Sequence, residues 1–196
     1  MANFWCPKHI ASVIILMLIL ISCAAVKNGP VKPSAQSPSK TPAQTSTQPI
    51  TEAKHHMEAG NYRKALDDYK SEYQKHPHNQ ALVRDYVKSI EDIKATAERT
   101  SNAGDLTSAC KNYNTLLKAF PDFKAFAHLL SFDRALLKTE LTECKSSLSK
   151  QGFQEYRKGN LNEAIKLWQG YLAVDPNNPD IKRAVNTAKA QQKNLQ

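Results

Sequence analysis

The sequence predicts an all-α fold of stacked helical hairpins, and three observations predict it. One pattern is written three times: a Gly, an Ala five residues on, an aromatic nine on and a Pro seventeen on. It occurs as Gly60, Ala65, Tyr69, Pro77, then as Gly104, Ala109, Tyr113, Pro121, and again as Gly159, Ala164, Trp168, Pro176. After Ile50 only four prolines occur, the three above and Pro179, and each falls where a helix should end. Between them apolar residues recur at spacings of three, four and seven, the mark of a helix with one buried face.

Each residue type in the pattern has a physical reason. Gly tolerates the left-handed backbone that ends one helix and reverses the chain. Asn61, Asp105 and Asn160 follow, turn-forming residues able to cap the next helix. The small Ala lets a neighbouring helix approach, and the aromatic one turn later fills the space beside it. Pro lacks the amide proton that a continuing helix needs. A further small residue lies seven before each Gly, at Ala53, Ala97 and Gly152. A lone hairpin cannot bury its apolar face, so the units need stacked neighbours.

On these residues the chain resembles the tetratricopeptide repeat, over about residues 50–180. The resemblance implies a helical-hairpin solenoid over 50–196, with repeat cores at about 46–79, 90–123 and 145–178. One departure matters: that repeat is about 34 residues long, whereas the Gly-to-Gly distances here are 44 and 55. The extra residues precede the first helices of the second and third units and contain neither Gly nor Pro, which predicts two lengthened helices. The expected helices are 50–59, 62–75, 79–102, 105–119, 123–158, 161–174 and 179–193. In the fifth, Phe126, Leu130, Leu137, Leu141, Cys144 and Leu148 form one apolar seam. Long straight helices predict a stepped, elongated stack; a kink near Ser131 or Ser146 and Ser147 would instead bring the hairpins back into register. The basic helix 179–193 reads as the polar cap that a solenoid end requires.

The amino terminus places the domain. Lys8 precedes Ile10–Ile21, twelve residues without charge, which end at Leu20-Ile21-Ser22-Cys23. This describes a secretory leader over residues 1–22, shorter than the ~20 apolar residues of a membrane span. Leu-x-Ser-Cys resembles the bacterial lipobox, which implies a diacylglyceryl group on Cys23, and Ala24 resembles the sorting signal of outer-membrane lipoproteins. Residues 23–49 hold five prolines, many Ser, Thr and Gln, and no acid or aromatic. So little apolar surface predicts a disordered tether, spanning about 30 Å root-mean-square.

The chain carries 27 Lys and Arg against 18 acids, net +9, and loses only Lys8 with the leader. Export removes nucleic acid from the partners that such a surface could meet, leaving anionic envelope polymers or a protein. No phosphate loop, His-Glu-x-x-His, Gly-x-Ser-x-Gly or Cys-x-x-Cys occurs. The adjacent His55 and His56 diverge on a helix, and His76 and His78 suit a helix end. No enzyme, metal or cofactor is therefore expected. Cys110 and Cys144 remain after Cys6 and Cys23 are accounted for. If helix 123–158 is straight, Cys144 lies about 15 Å along the axis from the level of Cys110, beyond the reach of a disulfide. Two buried thiols are expected unless that helix bends back.

Binding is the remaining function. In tetratricopeptide proteins the first helices line a partner-binding groove, and the resemblance carries this role to Lys54, Met57, Glu58, Lys94, Glu98, Asn102, Ser149, Phe153, Tyr156 and Arg157. Phe153 is the anchor candidate; the alternative is that Phe153 and Tyr156 merely pack on helix 179–193. Trp168 belongs to the core. The expectation is a membrane-anchored, extracytoplasmic scaffold or assembly factor for an envelope complex, with a protein partner. Lipidated repeat proteins that resemble it include secretin pilots and outer-membrane-protein assembly subunits. The alternative is direct binding to a cell-wall or lipopolysaccharide polymer.

Overall fold

The computed structural model describes residues 47–195; the leader, Cys23 and the tether up to residue 46 lie outside the described residues. Those described form seven α-helices packed against one another, with no strand among them. They are α1 (Thr47–Glu58), α2 (Tyr62–Lys75), α3 (Gln80–Asn102), α4 (Leu106–Phe123), α5 (Arg134–Arg157), α6 (Leu161–Val174) and α7 (Pro179–Asn194). A 3-10 segment, Lys124–Leu129, lies between α4 and α5. Helix α1 starts three residues before the expected boundary, inside what the composition assigns to the tether. Pro49 does not prevent this, because the first four amides of a helix have no partner within it.

The three hairpin turns are built alike. Gly60, Gly104 and Gly159 take φ of 71°, 86° and 81°. In each, the following residue's amide reaches back five residues: Asn61 to His56 at 2.8 Å, Asp105 to Thr100 at 2.9 Å and Asn160 to Glu155 at 2.9 Å. This double closure of a helix end requires the left-handed residue that Gly supplies. The caps differ. Only the Asp105 carboxylate accepts an amide of its own helix, from Ser108 at 3.1 Å, and the bonds from Ser108 hold its pKa below the ordinary carboxylate value. Asn61 makes no such bond, and the Asn160 side chain donates instead to Glu155.

The repeated small residues sit where helices cross. Ala53, Ala65, Ala97, Ala109 and Ala164 are fully buried, and the repeated aromatics Tyr69, Tyr113 and Trp168 are at most 2% exposed. Gly152 touches the Trp168 indole so closely that a Cβ there would fall under 3.0 Å from three ring atoms. At the first junction Tyr69 stacks on Tyr86 at 5.2 Å, and the buried Tyr86 hydroxyl donates to the Leu66 carbonyl.

The expected helix 123–158 is not one helix. Helix α4 continues through Pro121 to Phe123, where a stop was expected, and the backbone leaves α geometry over the ten residues 124–133. Aromatic burial accounts for both. Phe120, Phe123 and Phe126 continue the buried stripe of α4, and Phe126 turns out of helical backbone (φ −119°, ψ 19°). Its ring meets Tyr73 at 5.1 Å and Tyr86 at 5.2 Å. Glu91 of α3 then accepts both the amide and the hydroxyl of Ser131. Asp133 caps the new helix through Leu136 at 2.8 Å, so α5 restarts with its own satisfied amides.

That break corrects the expectation for the cysteines. Ten residues of α-helix rise about 15 Å, the separation that a straight helix would impose. With those residues out of the helix, Cys144 comes level with Cys110, and the two form a disulfide with their Cα atoms 5.6 Å apart.

The register between hairpins follows from two contacts. Lys70, ten residues after Gly60, pairs with Asp122, eighteen after Gly104. Thr107, three after Gly104, meets Gly170, eleven after Gly159. Each second helix is thus displaced by about eight residues, or ~12 Å, past the one before, in the same sense at both junctions. The insertions explain the equality. The first adds ten residues to a helix, and the second adds twenty-one but spends ten of them on the break, so α3 and α5 end at 23 and 24 residues.

Candidate functional site

The site follows from the place of α7. It packs on α6 as α5 packs on α4, so it stands where the first helix of a fourth hairpin would stand. Its apolar residues Ile181, Val185 and Ala188 are buried, while its remaining turns are polar. Between α5 and α7 the surface is recessed along two adjoining hollows of about 600 and 310 Å³. They share Phe153 and Asp180. Along α5 the lining runs from Thr142 to Tyr156, a length of about 21 Å.

Phe153 divides the two hollows. It remains 39% exposed, although its ring stands edge-on to Trp168 at 5.0 Å. Tyr156 also meets the same indole, tilted, at 5.8 Å. Trp168 is itself fixed by donating from Nε1 to the Ser149 carbonyl at 3.4 Å. In the larger hollow Lys145 pairs with Asp175 at 3.0 Å and lies over the Tyr171 ring. The smaller is closed on the α7 side by Ala184, Thr187 and the ion pair of Arg183 with Asp180. The arrangement is an aromatic ledge on rigid helices with charged groups at its margins. It can hold an apolar side chain of a partner beside hydrogen-bonding groups.

The structure brings Ser149, Phe153 and Tyr156 together in this groove. Arg157 is exposed at the end of α5 and lines neither hollow. The others lie elsewhere. Lys54 bridges α1 to Asp85 of α3 at 2.8 Å, and its hydrogen bond to that carboxylate raises the pKa of its ammonium. Met57 is half-buried against the core, and Glu58 and Asn102 are exposed at hairpin turns. Lys94 pairs with Glu98 and covers the Phe132 ring at 5.8 Å, so this part of α3 is occupied by the chain's own segment 130–133. Sequence reasoning offered helix 179–193 only as packing for Phe153 and Tyr156 and not as a groove wall, because a helix with few large apolar residues reads as a cap. The signal was Asn178-Pro179, a helix start at the same distance from Pro176 as Asn79 is from Pro77.

Among the described residues no three His, Cys, Asp or Glu side chains gather as a metal-ligand set. His56 lies 3.6 Å from Glu52 and 3.7 Å from Asp68, and His76 lies 3.3 Å from the buried Glu72. Among the same residues no helix is long and apolar enough to cross a membrane. A scan against protein-family models and a search of curated proteins both find no match to this chain.

Proposed function

We propose that this chain is an exported, lipid-anchored tetratricopeptide-like module that scaffolds or assembles an envelope complex by holding a protein segment in the groove between α5 and α7. The observation that carries the reading is Phe153, a large aromatic left exposed at the centre of a groove whose floor is otherwise closed by Trp168. Three hairpins with the same Gly turn, the same buried Ala and the same buried aromatic support the repeat assignment. The Cys110–Cys144 disulfide supports an oxidising compartment outside the cytoplasm. Anchoring rests on the leader and Cys23 of the sequence.

A photoreactive phenylalanine analogue at position 153, used in intact envelopes, tests the reading. One dominant protein adduct is expected there and none from the same group at Lys166, which is exposed on α6. The adduct should persist at high salt, since the contact is apolar. Equal labelling from both positions contradicts the groove. An adduct that disappears as ionic strength rises favours an anionic polymer or a purely charged contact.

A further inference from the structure

We infer a second interaction surface, at the end of the helices that carries the turn into α5, and its partner is an anionic lipid surface. Of the four exposed large apolar residues among those described, two lie here: Leu129 is 52% exposed and Leu136 38%. Leu129 borders a shallow hollow with Pro77 of the α2–α3 turn and Val83 and Arg84 of α3.

Charge separates this end from an ordinary solvated surface. Several of its carboxylates are paired with cations, Asp122 with Lys70, Asp85 with Lys54 and Glu72 with Lys75, while Glu91 and Asp133 are held by the amide and hydroxyl of Ser131 and by the amide of Leu136. Arg84, Lys124, Arg134 and Lys138 are exposed and have no carboxylate partner among the described residues. Exposed leucines beside cations without carboxylate partners match a surface of anionic headgroups over acyl chains.

The point of chain entry lies at the same end. Helix α1 runs antiparallel to α2 about Gly60, so its start at Thr47 is roughly level with Tyr73, whose ring touches Phe126. The described chain therefore begins at the same end as Leu129. If Cys23 is acylated, as the proposed anchoring requires, the anchor is attached on the side of this end.

The test uses the full chain carrying Cys23→Ala, so that no acyl chain contributes, and vesicles of phosphatidylcholine with or without phosphatidylglycerol. Binding is expected to favour the anionic vesicles. Lys124→Glu with Arg134→Glu, and separately Leu129→Asp with Leu136→Asp, should each weaken that binding at least tenfold without changing helicity. Lys189→Glu with Lys193→Glu, at the far end of α7, should leave it within twofold. Equal loss from both ends means diffuse charge alone and overturns the inference, as does the absence of any anionic preference. Mass spectrometry of the unaltered chain tests the anchor separately: a Cys23 without acyl groups removes the tether and leaves the vesicle result standing.

Discussion

Replacing Cys110 and Cys144 by alanine is expected to destabilise the domain by about 3–4 kcal/mol, the loop-closure value for a crosslink of this span. The two are 34 residues apart, and the loop they close contains Pro121, the 3-10 segment and the whole break 124–133. Those residues have few regular backbone bonds to hold them, so little else in the native state confines this loop once the bond is gone. For a domain of about 150 residues the loss corresponds to a fall of roughly 10 °C in Tm. Thermal unfolding followed by circular dichroism, with and without reductant, checks it. The double variant should be insensitive to reductant, and the unaltered chain should fall toward it. A reductant-insensitive unaltered chain contradicts the crosslink.

Gly152→Val is expected to cost at least as much, about 3 kcal/mol or more, because overpacking here has no soft neighbour to displace. The added carbons meet the five-membered edge of Trp168, and that ring is already held by Ser149, Phe153 and Tyr156. Relief must come from moving α6 away from α5, which also deforms the groove. A double-mutant cycle in urea separates the contact from general damage. With Trp168→Leu in place, Gly152→Val should cost markedly less than alone, a coupling of at least 1 kcal/mol. Additive losses place the strain elsewhere.

Which features could be read in advance follows from the range over which their physics acts. Turns closed within six residues, such as Gly60 and Gly159, depend on local backbone geometry, and their residue types announce it. So do the buried Ala and aromatic positions, whose spacing is the helical period itself. The break after Phe123 was legible only as an alternative, a kink near Ser131, because the stretch Phe126 to Leu148 keeps a helical spacing whether or not the backbone is helical. What decides against helix is tertiary: Phe126 finds Tyr73 and Tyr86, and Ser131 finds Glu91, forty residues away. The disulfide depended on the same alternative, since it forms only if that helix bends back. Phe153 could be singled out from its register, but its neighbours Arg183 and Thr187 could not, since only the Asn178-Pro179 start marks α7 as a further first helix and its polar residues do not mark which of them face a groove.

Ending the chain at Phe123 tests most directly whether the hairpins stand by leaning on one another. The deletion exposes Leu116, Ala109 and Tyr113 on α4, buried in the intact domain, and removes the disulfide partner of Cys110. Urea unfolding followed at α1–α4 should then show a midpoint far below that of the intact chain and a broadened transition. An unchanged midpoint, with the transition as sharp as before, would mean that the first two hairpins form an independent domain and that the stack is not mutually supporting.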